Sequence, residues 1–128
     1  MAIKSTYDIN LNILFLTVNG SLSFDDFKDC MVKLLSSNDY PPDVDTIWDL
    51  NNMEFDSFDL TFHQQVVDFI ETNDNPRGYA HVAIVSNYDI GKGVINLFIQ
   101  VADCLHQTFK AFKNLDEAIL WRHQLRKN

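Results

Sequence analysis

The 128-residue sequence is poor in cysteine, proline and glycine, with two, three and four residues respectively. Two cysteines are too few for a disulfide-built secreted scaffold, which offsets a small core with a dense set of bridges. So few prolines and glycines exclude collagen-like repeats and the biased composition of disordered chains. No uninterrupted apolar run is long enough to span a bilayer, so no integral membrane segment is expected. The opening "MAIKSTYDIN" lacks the apolar core of a signal peptide, and the expected location is the cytoplasm. Basic residues are scarce too: ten Lys and Arg face eighteen Asp and Glu, for a formal net charge of -8. This balance argues against nucleic acid, whose recognition relies on clustered cations that displace counterions. It equally disfavours anionic membrane surfaces and suits neutral or basic partners.

What is present is the composition of an ordinary folded domain. Hydrophobic residues make up 46% of the chain, and ten of the aromatics are phenylalanine, which favours a dry core. At this length one domain, residues 1–128, can close one core without metal or disulfide. Cys30 and Cys104 each fall in or beside the apolar stripe of a predicted helix and read as small buried side chains.

Residues 3 to 10 alternate, with Ile3, Ser5, Tyr7 and Ile9 on one face, which predicts a half-exposed edge strand. "ILFLTVN" is continuously apolar and β-branched, as in a strand covered on both faces, and the two segments form an antiparallel hairpin. Gly20 breaks the second strand. Ser23 and Asp26 then make a capping box for a helix with the stripe Phe24, Phe27, Met31, Leu34 and Leu35. "DTIWDLN" is the third strand, and a helix from about Ser57 carries Phe58, Phe62, Val66, Phe69 and Ile70 at helical spacing. "NDNPRG" is a turn, "AHVAIVS" a buried parallel strand, and residues 90–105 a third helix. "QTFKAFK" gives a last strand whose lysines suit a sheet edge. Asn114 and Glu117 cap a final helix with Leu115, Ala118, Ile119, Arg122 and Leu125 along one side. The order ββαβαβαβα implies an α/β fold: a mainly parallel five-stranded sheet with an antiparallel N-terminal edge strand and four helices. Ligands of such sheets bind beyond the carboxyl ends of the strands.

The segment that follows the third strand, "WDLNNMEFDSFDL", concentrates acids where such a site would lie. Asp49 sits inside an apolar strand, where burial raises a carboxyl pKa unless hydrogen bonds oppose it; the alternative is a loop cap at the strand end. Pairing Asp49 with Asp56 as acid and base would make a small hydrolase, but no nucleophile accompanies them. The four histidines, His63, His81, His106 and His123, are scattered and lack metal-ligand spacing. Neither a catalytic set nor a metal or other cofactor is therefore expected. "DIGKGV" is not a phosphate loop, but Lys92 and the N–H groups after Gly91 could meet a small anion at a helix start. The third helix is apolar over a wide arc. Beyond the stripe of Val94, Leu97, Phe98, Val101 and Leu105 it carries Ile95, Ile99 and Ala102, which implies a second thing to pack against: a neighbouring helix, a second copy, or an apolar ligand.

The element order, "TIWDLNNMEFDS", the Gly20 turn, "RGYAHVAIVS" before "GKG", and the closing "FKNLDEAILWRHQL" together resemble the bacterial SpoIIAA-like group. That group is related to STAS domains and likened to SEC14-type lipid binders, and the resemblance covers nearly the whole chain. It implies a non-enzymatic regulatory or protein-interaction domain similar to anti-sigma-factor antagonists. In those proteins the loop after the third strand carries an Asp-Ser pair whose serine is phosphorylated, and Asp56 and Ser57 are the matching positions. Ser57 is then either a phosphoacceptor or simply the N-cap of its helix. The implied binding surface joins Asp49, Asn51, Asn52, Asp56 and Ser57 to Gly91, Lys92, Ile95 and Ile99. Its partner is a protein, with a homodimer as one form. The rival reading is a SEC14-like carrier or sensor of a small apolar ligand or lipid, with Trp48 and nearby phenylalanines lining the cavity.

Overall fold

The computed structural model describes residues 2–54, 60–87, 99 and 105–126. The chain opens with β1 (Ile3–Asp8) and β2 (Ile13–Gly20), followed by α1 (Phe24–Ser36) and β3 (Asp45–Met53). Then come α2 (Leu60–Thr72), the single turn α3 (Asp74–Arg77), β4 (His81–Val85), β5 (Thr108–Phe112) and α4 (Leu115–Arg126). The five strands form one sheet in the order β1-β2-β3-β4-β5. β1 pairs antiparallel with β2, and every other pairing is parallel. This is the mixed α/β sheet expected from the sequence. Of the helix expected over residues 90–105, only Ile99, which is helical, and Leu105 are described. The turn expected at "NDNPRG" contains α3, which ends at Gly78 with φ 57°.

The strand register assigns the side chains to two layers. Leu14, Thr46, Val82 and Phe109 lie in one row across the sheet, and Leu16, Trp48, Ile84 and Ala111 in the next. This face meets α1 and α2 through Phe27, Met31, Leu34, Val66 and Ile70. The opposite face presents Ile13, Ile47, Ala83 and Val85 to Ala118, Ile119 and Trp121 of α4. Right-handed crossovers that step the same way across a sheet put their helices on one side, and among the described helices α4 alone packs on the other.

Local chemistry starts and stops the helices. Ser23 Oγ accepts the Asp26 N–H at 3.1 Å, and Asn114 Oδ1 accepts the Glu117 N–H at 2.9 Å. Each satisfies a first-turn donor that the helix itself cannot. Ile9, read as the last inward residue of β1, is instead 77% exposed. β1 stops at Asp8, whose carboxylate takes the N–H groups of Asn10 and Leu11 and turns the chain.

Candidate functional site

The carboxyl ends of β2, β3 and β4 are tied into one rim by side chains on the exit segments. Asp49 Oδ1 accepts the Asn51 N–H at 3.0 Å, a bond within the carboxyl half of β3. Asn51 Oδ1 in turn accepts the Asn87 N–H at 2.9 Å, which fastens this part of β3 to the segment leaving β4. On the other side, the Glu54 N–H donates to Gly20 O at 2.9 Å and Ser21 Oγ to Glu54 Oε2 at 3.2 Å. Gly20 has φ 74°, and an added Cβ would meet no atom within 4 Å. The left-handed backbone, not crowding, is therefore what favours glycine there. The Ser86 N–H completes the rim by donating to Phe112 O at 3.0 Å.

Of the residues singled out from the sequence, Asp49, Asn51 and Asn52 share this rim, Asp49 half-buried and Asn52 exposed. Asp49 lies in the middle of β3 and accepts from the Asn51 N–H of the same strand. Asp56, Ser57, Gly91, Lys92 and Ile95 lie outside the described residues, as do Phe58 and Cys104. Ile99 is half-buried against Val82 and Ile84, so at this position the apolar flank of its helix touches the chain's own sheet.

At the opposite pole, where the parallel strands begin, two ionic clusters escaped the sequence reading. Asp45, the first residue of β3, accepts the His81 N–H at 2.7 Å on Oδ1, with His81 Nδ1 3.3 Å away. Its Oδ2 accepts from Arg122 Nε, which carries the ion pair from α4 to β3. Arg122 is buried, and its Nη2 also donates to Asn12 O at 3.4 Å. The second cluster centres on Arg77, 2% exposed, whose Nη1 donates to Pro42 O at 2.8 Å and Val44 O at 2.6 Å. Its Nε donates to Gln107 Oε1 at 3.3 Å, and Gln107 Nε2 to Asp74 Oδ1 at 3.1 Å. Burial pulls the Arg77 pKa down to about 10, with Asp45 and Asp43 opposing the shift, so the guanidinium stays charged at neutral pH.

Asp74 closes this cluster by accepting the His106 backbone N–H at 3.1 Å, with His106 Nδ1 2.6 Å from the same oxygen. Burial pushes its carboxyl up, but the hydrogen bonds from the His106 backbone, Gln107 and the His106 ring outweigh it. The net pKa lies below the ordinary 3.8. The unfolded chain then holds this proton more tightly than the folded one. The stability that Asp74 contributes is therefore complete above 3.8 and lost as pH falls through the lower folded value. Urea midpoints taken down the acid limb should show wild type and Asp74→Asn far apart at neutral pH and converging below that value. A gap independent of pH would contradict the assignment.

Among the described residues, no group of three or more His, Cys, Asp or Glu could hold a metal ion. The one described thiol, Cys30, is pushed up to about 11 by burial, which Lys33 offsets only in part; that is the opposite of an activated nucleophile. No described helix is long and apolar enough to cross a membrane. Behind the rim an apolar cavity of about 120 Å³ lies between the sheet and α1 and α2, with Trp48, Phe27, Phe62 and Phe109 in its wall.

No family model and no curated protein matches this sequence. Solved structures do. An uncharacterised DUF3478-family protein with a SpoIIAA-like fold from Shewanella loihica PV-4 superposes with TM-score 0.62 at 15% identity, over 94% of this chain and 91% of that one. The anti-sigma factor antagonist SpoIIAA in its unphosphorylated form superposes with TM-score 0.57 at 11% identity, over 96% and 98% of the two chains. The fold of this chain is SpoIIAA-like.

Proposed function

We propose that this SpoIIAA-like chain is a non-enzymatic, cytoplasmic regulatory module that binds a protein partner reversibly through the carboxyl-end rim of its sheet. The observation that carries this reading is the Asn51 bridge to Asn87, which joins the carboxyl half of β3 to the segment leaving β4 beside the exposed Asn52 and Glu54. The likeness to an anti-sigma factor antagonist supports it at the level of fold. The contact surface comprises Asp49, Asn51 and Asn52, with Asp56 and Ser57 next along the sequence. Gly91, Lys92 and Ile95, which come after β4 in sequence, are assigned to it too, with the part of Ile99 that is not packed on Val82 and Ile84. Asp49 and Glu54 make the rim acidic, which fits a partner with a basic face. Phosphate on Ser57 would add to this negative charge and gate the interaction. A second copy of the chain is the alternative occupant.

Asn52 is exposed and Tyr79, 77% exposed at the opposite pole, supplies the control. Immobilised wild type and Tyr79→Ala should retain the same protein from source-cell extract, and Asn52→Arg should lose it with an unchanged melting temperature. Retention that ignores Asn52→Arg but fails with Tyr79→Ala would overturn the placement. Intact-mass measurement of the native chain checks the gate, since a phosphate should be present and should disappear in Ser57→Ala.

A further inference from the structure

We infer that the cavity beneath α2 is a binding site for a fragment-sized molecule with an apolar ring and a single hydrogen-bonding oxygen, recognised by Thr46. Thr46 stands in the cavity wall between Leu14 and Val82 of the flanking strands. It is 2% exposed, and its Oγ1 has no hydrogen-bond partner among the described residues. A buried hydroxyl left unpaired is destabilising, and folded proteins rarely tolerate one without a use. β-branched valine would fill the same place in a strand without that penalty, as it does next door at Val82.

Water is a poor occupant. A buried water needs about two to four polar partners, whereas this wall is built mostly from side chains such as Met31, Trp48, Val66 and Ile84. Of its other polar residues, Arg77 and Gln107 are engaged with Pro42, Val44, Asp74 and each other, and His63 has an interaction of its own. The volume, about 120 Å³, approaches that of apolar core cavities of about 150 Å³ that stay dry and take up benzene. An apolar ring therefore fits the space, and one oxygen on it answers the one unpaired hydroxyl. This site lies behind the polar groups of the rim, between the sheet and α1 and α2, and its existence does not depend on any protein partner.

Benzene and phenol are the probes, titrated into the full chain and followed by amide shifts of Thr46, Val66 and Ile84. Both should bind wild type saturably at these residues. Thr46→Val, which keeps shape and removes the hydroxyl, should lower the ratio of phenol to benzene affinity about tenfold, the value of one hydrogen bond. Its melting temperature should stay or rise, since an unpaired polar group has gone. Val66→Phe, which fills the space, should abolish both titrations. The inference fails if neither probe saturates wild type, if the ratio is the same in Thr46→Val, or if phenol binds Val66→Phe unchanged.

Discussion

Arg77→Ala should lower the unfolding free energy by about 3–5 kcal/mol, read as a shift of the urea midpoint with little change in slope. Its guanidinium is buried and holds the carbonyls of Pro42 and Val44, the strap leading into β3, against the turn that leads into β4. Alanine would leave the Val44 carbonyl and the Gln107 amide oxygen buried without donors, and would release the part-buried Pro42 carbonyl. Each such orphan costs about 1–3 kcal/mol. The charge itself is no asset, because burial works against it strongly enough to bring the pKa down to about 10. What the residue supplies is a rigid fork of donors, so lysine, a point charge with different geometry, should recover less than half of the loss. A midpoint within 1 kcal/mol of wild type, about the value of one ordinary hydrogen bond, would contradict this account.

Asp45→Ala should have a comparable effect, about 3–5 kcal/mol, for a different reason. It strands a cation. Arg122 is 5% exposed on the inner side of α4, and without Asp45 its described partner is Asn12 O at 3.4 Å. The His81 N–H at the start of β4 loses its acceptor at the same time. If the loss comes from the uncompensated charge, Arg122→Met placed on top of Asp45→Ala should restore stability. The double variant should sit well above the sum of the two single losses. Strict additivity would show that the two side chains act independently. Both substitutions lie at the pole away from the rim, so at temperatures where the variants are folded neither should alter partner capture.

The layers of the fold were legible because they follow from local pattern. The continuous run Ile13 to Val18 marks a strand covered on both faces, and it pairs on both sides. Ser23 and Asn114 announced helix starts that their side chains in fact cap. These caps were legible because each acceptor reaches only three residues ahead. The ionic clusters were not, because their partners are far apart in sequence: 77 residues between Asp45 and Arg122, 30 between Arg77 and Gln107. One trace did exist. Arg122 falls on the apolar side of its helix, and a cation in an apolar stripe needs a buried counter-charge. The role proposed for Thr46 was not legible, because a threonine in a strand is ordinary until the partners of its hydroxyl among the described residues can be counted.

The most direct test of the proposed recognition surface is amide hydrogen exchange, compared for the chain alone and saturated with the captured partner. Binding at the carboxyl-end rim predicts slowed exchange over residues 49–57 and 86–92. It also predicts no change at Arg77, Gly78 or His106 at the other end of the sheet. Protection confined to that other end, with the rim exchanging as it does in the free chain, would contradict it.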